Sequence, residues 1–82
     1  MTTAYEIAAT VDARQLACPL PLLKAKQALN AVNVGQCVQV CATDAASERD
    51  FHSFVELTSH TLVDSNVSDG TYTYLIRKGE TP

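Results

Sequence analysis

Residues 16–23 read Leu-Ala-Cys-Pro-Leu-Pro-Leu-Leu, which places a cysteine directly before two prolines that open a helical pattern. Proline is tolerated in the first turn of a helix, because the N–H that it lacks would be unpaired there. The pattern predicts that Cys18 is the N-cap, with Pro19 and Pro21 stiffening the turn. A thiol at the positive end of the helix dipole is expected to have a lowered pKa and to be reactive. The alternative is a small cysteine that packs in the core.

Two periodicities flank this stretch. Before it, successive side chains of residues 5–11 are expected to point to opposite faces of the chain, with a period of two. This pattern predicts a half-buried strand. After it, residues 19–32 predict a helix with one apolar stripe. The stripe consists of Leu22, Ala25, Ala28, Leu29 and Val32. Gly35 is the natural left-handed residue after this helix.

The rest of the chain predicts a strand, a second helix and a hairpin. Asp69-Gly70 is a strong hairpin turn. Because a helix joins the first two strands, these are expected to be parallel. We therefore predict an α/β fold of the α+β two-layer sandwich type, with order βαβαββ, a four-stranded mixed sheet and two helices on one face. The predicted elements are strands at 37–43, 61–67 and 71–78 and a helix at 48–59, capped by Asp44 or Ser47.

Composition narrows the class of protein. Eighty-two residues predict a single domain over 1–82, with loose ends at 1–4 and 79–82. The net charge is −3 and the six Lys and Arg residues are scattered, so tight direct binding to nucleic acid is not expected. A secretory signal pattern and a membrane span are both missing from the sequence. With three cysteines, an odd number, we expect reduced thiols in a cytoplasmic monomer.

Candidate functional residues, both polar and apolar, lie near Cys18 in the sequence. Asp12 and Arg14 lie in the loop before it, where they either scaffold the loop or act directly at the sulfur. Two leucines of the first helix fall off the apolar stripe, on the flank nearest Cys18. They either pack beneath the loop or form an exposed docking surface for a partner. The docking candidates are Leu20, Leu23 and Lys24.

Cys37 and Cys41 both fall within a predicted strand. Four residues of strand span about 13 Å, whereas a disulfide needs Cα atoms within about 7 Å. Neighbouring residues do not supply the rest of a zinc ligand set. We therefore predict that both cysteines pack on the sheet, and that the chain has no metal site.

The loop and helix start carry the pattern Asp12-x-Arg14-x-Leu16-x-Cys18-Pro19-x-Pro21, which resembles the signature of the TusA-like (SirA-like) sulfur-carrier family. The resemblance continues in Val34-Gly35, Thr43-Asp44, Arg49-Asp50-Phe51 and Tyr72-x-Tyr74-x-Ile76-Arg77-Lys78. This chain differs from the family pattern at two positions. The family usually has glycine where this chain has Gln15, and many members have an acidic residue where it has Leu20.

The resemblance implies a function. Members of this family accept a sulfane sulfur as a cysteine persulfide and hand it to another protein. Carried over, the chain is a sulfurtransferase that acts as a persulfide carrier, with Cys18 as the catalytic residue and no cofactor besides the covalent sulfur. Pro19 and Pro21 shape its turn, while Asp12 and Arg14 hold the loop. A cysteine desulfurase or rhodanese supplies the sulfur, and the acceptor serves tRNA thiolation, molybdenum-cofactor assembly or sulfur oxidation.

A different class of function is compatible with the same thiol. The chain is then a non-enzymatic redox-sensing or regulatory interaction module. A sensor thiol often has a resolving cysteine nearby, and Cys37 and Cys41 qualify only if the fold brings one of them to Cys18.

Overall fold

Four strands and two helices make up the fold of residues 6–80, the part of the chain that the computed structural model describes. The predicted order βαβαββ is confirmed. The second helix begins two residues before its predicted start and ends three residues before its predicted end. The elements are β1 (Ile7–Ala13), α1 (Leu20–Ala31), β2 (Cys37–Ala42), α2 (Ala46–Glu56), β3 (Thr61–Ser68) and β4 (Thr71–Arg77). Neither of these helices has the length and apolar character needed to cross a membrane.

The four strands form one mixed sheet in the order β1-β2-β4-β3. β1 and β2 are parallel, as expected for strands that a helix connects, and β4 is antiparallel to both β2 and β3. The hairpin between β3 and β4 turns at Asp69 and Gly70, which have positive φ of 52° and 76°. These values suit the tight turns that match strand twist. The predicted mixed sheet is therefore confirmed.

The core lies between one face of the sheet and both helices. Side chains from α1, α2, β1, β2 and β4 meet there in one cluster, which confirms that the helices share a face. Its buried members are Ala13, Ala25, Leu29, Val32, Val38, Val40, Phe51, Tyr74 and Ile76. Cys37 is also fully buried, as predicted for a packing residue, and Cys41 is half-buried with its Sγ 3.9 Å from Thr73 Oγ1.

Helix α2 is fixed to the sheet by a buried polar contact. Ser47 Oγ lies 2.8 Å from the hydroxyl of Tyr74, and neither residue is more than 1% exposed. The prediction that Ser47 caps α2 is therefore wrong, because its side chain points into the core. The N-cap is Ala45, so the alternative prediction of Asp44 is wrong as well, although the Asp44 side chain accepts the Ala46 N–H through Oδ1 at 3.0 Å.

The segment after β4 is tied back to the rest of the domain. The Gly79 N–H donates to His60 Nδ1 at 3.0 Å, in contrast to the expectation that the chain is loose from residue 79 onward. Burial lowers the pKa of His60, with a smaller contribution from Lys78, which keeps Nδ1 available as an acceptor. A Cβ at Gly79 would overlap the carbonyl group of Ser59, so glycine permits this close approach. The other predicted loose ends, 1–4 and 81–82, lie outside the described residues.

Candidate functional site

Cys18 lies exposed in the connection between β1 and α1. The N-cap of α1 is Pro19, one residue later than predicted, with φ −100° and ψ 20°. The reason is that helical hydrogen bonding begins at the Pro19 carbonyl, which accepts the Leu23 N–H at 3.0 Å. Pro19 has no N–H, and the next backbone N–H, that of Leu20, donates to the Ala17 carbonyl at 2.8 Å. The Cys18–Pro19 peptide bond is cis.

The thiol of Cys18 faces a carboxylate rather than helix amides. It donates to Asp50 Oδ2 at 2.7 Å, and Asp50 belongs to α2. This hydrogen bond, followed by desolvation and the charges of Asp50 and Asp44, raises the pKa of Cys18 above its usual value, against a smaller opposing effect of Arg49. The expected lowering of the Cys18 pKa is therefore wrong. The nearest helix N–H, that of Leu20, already has a partner, and the group that faces the thiol is a carboxylate, which favours the protonated form.

Asp44 clamps two parts of the chain together at this site. Its Oδ2 accepts the Cys18 N–H at 2.6 Å, while Oδ1 accepts the Ala46 N–H at the start of α2. These backbone hydrogen bonds lower the pKa of Asp44, so the clamp carries a negative charge at neutral pH. The preceding Thr43 contributes a parallel contact, in which its Oγ1 accepts the Gln15 N–H at 2.8 Å. The connection that carries Cys18 is thus held by side chains of the β2–α2 connection.

Asp44 and Asp50 were not among the predicted site residues, although both fall in motifs that carry the family resemblance. A sequence signal for Asp44 existed. β1 and β2 are parallel, so the residues that follow them lie at the same edge of the sheet, and Thr43-Asp44 directly follows β2. Asp50 had no comparable signal, because its position depends on how α2 packs.

Asp12 and Arg14 form an ion pair with each other. Arg14 Nε donates to Asp12 Oδ1 at 2.9 Å and Nη2 donates to Oδ2 at 3.0 Å. These hydrogen bonds lower the pKa of Asp12 to about 2, so the pair stays ionised until strongly acidic pH. Such paired contacts fit the scaffolding alternative. Among the described residues, the hydrogen bond of the Cys18 thiol goes to Asp50 and not to this pair.

Gln15 adopts a left-handed backbone conformation, with φ 68°. Non-glycine residues reach this region at a cost of about 1–2 kcal/mol, because Cβ crowds the carbonyl oxygen. Gln15 is the position at which the TusA-like pattern usually has glycine. The loop therefore keeps a conformation suited to glycine, although the chain has a glutamine there.

We expect the substitution Gln15→Gly to stabilise the protein by up to about 1 kcal/mol. Relief of the backbone strain exceeds the extra freedom that glycine gives the unfolded chain, which is worth about 0.4–1 kcal/mol. The hydrogen bond from residue 15 to Thr43 is kept, since glycine retains its N–H. Urea unfolding measures the change. As a control, Gln27→Gly on the exposed side of α1 should cost about 1 kcal/mol. An equal loss at both positions would contradict the strain argument.

Two leucines flank Cys18 on the surface of α1. Leu20 is 44% exposed and Leu23 is 46% exposed, so the alternative that they pack beneath the loop is wrong. Leu16, a residue of the loop itself, is the leucine that packs against the core cluster, where it is partly buried. Pro21, by contrast, is fully buried and anchors the first turn of α1. We call the exposed surface formed by Leu20, Leu23 and the exposed Lys24 the leucine patch.

No group of three or more His, Cys, Asp or Glu side chains within residues 6–80 is arranged to hold a metal ion. All three cysteines are free, and they differ in accessibility: Cys18 is exposed, Cys41 is half-buried and Cys37 is buried. The chemistry that the described site offers is therefore that of a single accessible thiol beside two carboxylates.

Comparison with known proteins places this arrangement in a family. Residues 9–78 match the family described as Sulfurtransferase TusA. The sulfur carrier protein TusA of Allochromatium vinosum is 44% identical over 68 residues, which are 83% of this chain and 90% of that protein. The crystal structure of a SirA-like protein from Desulfitobacterium hafniense matches with a TM-score of 0.68 and 25% identity, covering 88% of this chain and 99% of that one. On the agreement of motif, sequence and fold, the chain belongs to the TusA family.

Proposed function

We propose that this protein is a sulfur carrier, which accepts sulfane sulfur as a persulfide on Cys18 and relays it to an acceptor protein. The observation that supports this most directly is that the cysteine of the family motif is the exposed one of the three. A relative named as a sulfur carrier, of which the chain covers 90%, supports the same function.

The transfer is a displacement at sulfur. The Cys18 sulfur attacks the outer sulfur of a hydropersulfide on the donor, and a new S–S bond forms as the donor's S–S bond breaks. The electron pair of the broken bond leaves on the donor's cysteine sulfur, which takes up a proton equivalent to the one that Cys18 loses. The outer sulfur keeps its own proton, so there is no net oxidation. Delivery to the acceptor repeats the step in the other direction, and Cys18 returns to a thiol.

Such a carrier needs two protein partners. A cysteine desulfurase or a rhodanese is the expected donor, and the acceptor is a protein of tRNA thiolation, molybdenum-cofactor assembly or sulfur oxidation. The cytoplasm, where thiols stay reduced, is the expected compartment. We propose the leucine patch as the docking surface, because it combines exposed apolar side chains with immediate proximity to Cys18 along the chain.

Intact-mass measurement tests the carrier function. The purified chain is incubated with a cysteine desulfurase and L-cysteine, and in parallel with a rhodanese and thiosulfate. We expect a gain of one sulfur atom that a reductant reverses. A chain that takes up no sulfur from either donor, but forms a disulfide or sulfenic acid with peroxide, would support the redox-sensing alternative and overturn the carrier function.

A further inference from the structure

The free protein holds its reactive thiol in an environment that opposes the thiolate. Asp50, a residue of α2, accepts a hydrogen bond from the Cys18 thiol at 2.7 Å. Asp44 accepts a hydrogen bond from the backbone N–H of the same cysteine at 2.6 Å. Arg49 is the neighbouring cation, and it lowers the pKa of Cys18 by less than Asp50 and Asp44 raise it. A sulfur nucleophile reacts as the thiolate, so the isolated site keeps Cys18 in its less reactive form.

We propose that Asp50 is a specificity-determining residue for sulfur transfer: it holds the Cys18 thiol in a hydrogen-bonded resting state and favours partners that bring a positive charge to the sulfur. This inference rests on the proposed carrier function. A Lys or Arg side chain of the partner, placed against Asp50, competes for its carboxylate and offsets its charge. The thiolate is then formed within the complex, where the donor's sulfur is in reach.

Charge complementarity defines the kind of partner. The chain has a net charge of −3, and the side chain facing the thiol is a carboxylate, whereas the adjacent leucine patch is largely apolar. The partner surface that fits this site is therefore an apolar contact region with a Lys or Arg side chain next to the partner's reactive sulfur. A partner with acidic groups at that position is disfavoured by like-charge repulsion.

Asp50→Asn tests the restraint on the thiol directly. It keeps the size of the side chain but removes the charge that disfavours the thiolate. We expect alkylation of Cys18 by neutral iodoacetamide at pH 7 to become several-fold faster, since each unit lost from the pKa raises the thiolate fraction about tenfold. Asp64→Asn, the same change at an exposed position on β3, serves as the matched control and should leave the rate unchanged. An unchanged or slower rate in Asp50→Asn would overturn the proposal.

A series of small disulfides tests the preference for positive charge. The probes are cationic cystamine, neutral 2-hydroxyethyl disulfide and anionic 3,3′-dithiodipropionate, each in exchange with Cys18. We expect the wild type to favour cystamine over the anionic probe by at least about fivefold more than Asp50→Asn does, which is the scale of a unit-charge interaction across about 4 Å of water. Asp50→Glu, which restores a carboxylate, should recover the preference. In the wild type alone, the preference should shrink as salt is raised, and this readout needs no variant.

The outcomes separate this proposal from the carrier function. If the wild type takes up sulfur but shows no charge preference, or if the preference survives in Asp50→Asn, the role of Asp50 is overturned and the carrier function stands. If the charge preference and faster alkylation are observed but no sulfur is taken up, the role of Asp50 in restraining the thiol is supported and the carrier function fails.

Discussion

Replacement of Cys18 by serine is expected to abolish sulfur uptake while leaving the fold intact. A hydroxyl group does not form a persulfide, so no sulfur is retained at this position. The serine N–H keeps its hydrogen bond to Asp44, and the serine hydroxyl is able to donate to Asp50 as the thiol does. Because residue 18 is exposed, there is no packing to lose.

The matched controls are the other two cysteines. Cys41→Ser and Cys37→Ala should both keep full sulfur loading, although Cys37→Ala should lower stability because that side chain is fully buried. Peptide mapping of the loaded wild type identifies the modified residue. Sulfur found on Cys37 or Cys41, or loading of Cys18→Ser, would show that the family cysteine is only structural.

Phe51→Ala is expected to give the largest loss of stability, about 3–5 kcal/mol. Phe51 is fully buried and its ring stacks on Tyr74, with ring centroids 4.4 Å apart and an angle of 19° between the planes. The substitution removes this contact and leaves a cavity between α2 and the sheet. A loss of this size is a large part of the 5–15 kcal/mol that stabilises an ordinary small domain.

Urea unfolding followed by circular dichroism measures this effect. The control is Leu57→Ala, at a leucine that is 85% exposed just after α2, where we expect a change within about 0.5 kcal/mol. A loss below about 1 kcal/mol for Phe51→Ala would show that the α2–sheet contact is not a main source of stability.

The fold was largely predictable because its signals are local. Alternation in the strands, the apolar stripe of α1 and the Asp69-Gly70 turn each report structure within a few residues. The stripe residues Ala25 and Leu29 are indeed buried. The ends of α2 were less predictable. Asp44 and Ser47 both have side chains suited to capping, and only the tertiary contact between Ser47 and Tyr74 decides that Ser47 belongs to the core.

The site was predictable in position but not in its electrostatics. The proline spacing located the start of α1 correctly to within one residue. From the sequence alone, however, either Cys18 or Pro19 is able to be the N-cap. The choice depends on the backbone of Pro19. The partner of the thiol, Asp50, lies 32 residues away along the chain and reaches it only through helix packing. Arguments from neighbouring residues alone therefore gave the wrong direction for the Cys18 pKa.

The hydrogen bonds from Thr43 and Asp44 have a dynamic consequence for the cysteine. These adjacent side chains hold the N–H groups of Gln15 and Cys18, respectively. One local opening of the β2–α2 connection thus releases both amides together, and their hydrogen exchange is governed by a common opening equilibrium. Because these contacts lie outside the sheet ladder, the opening leaves the core folded. We therefore expect the segment that carries Cys18 to open locally at a free-energy cost below that of global unfolding.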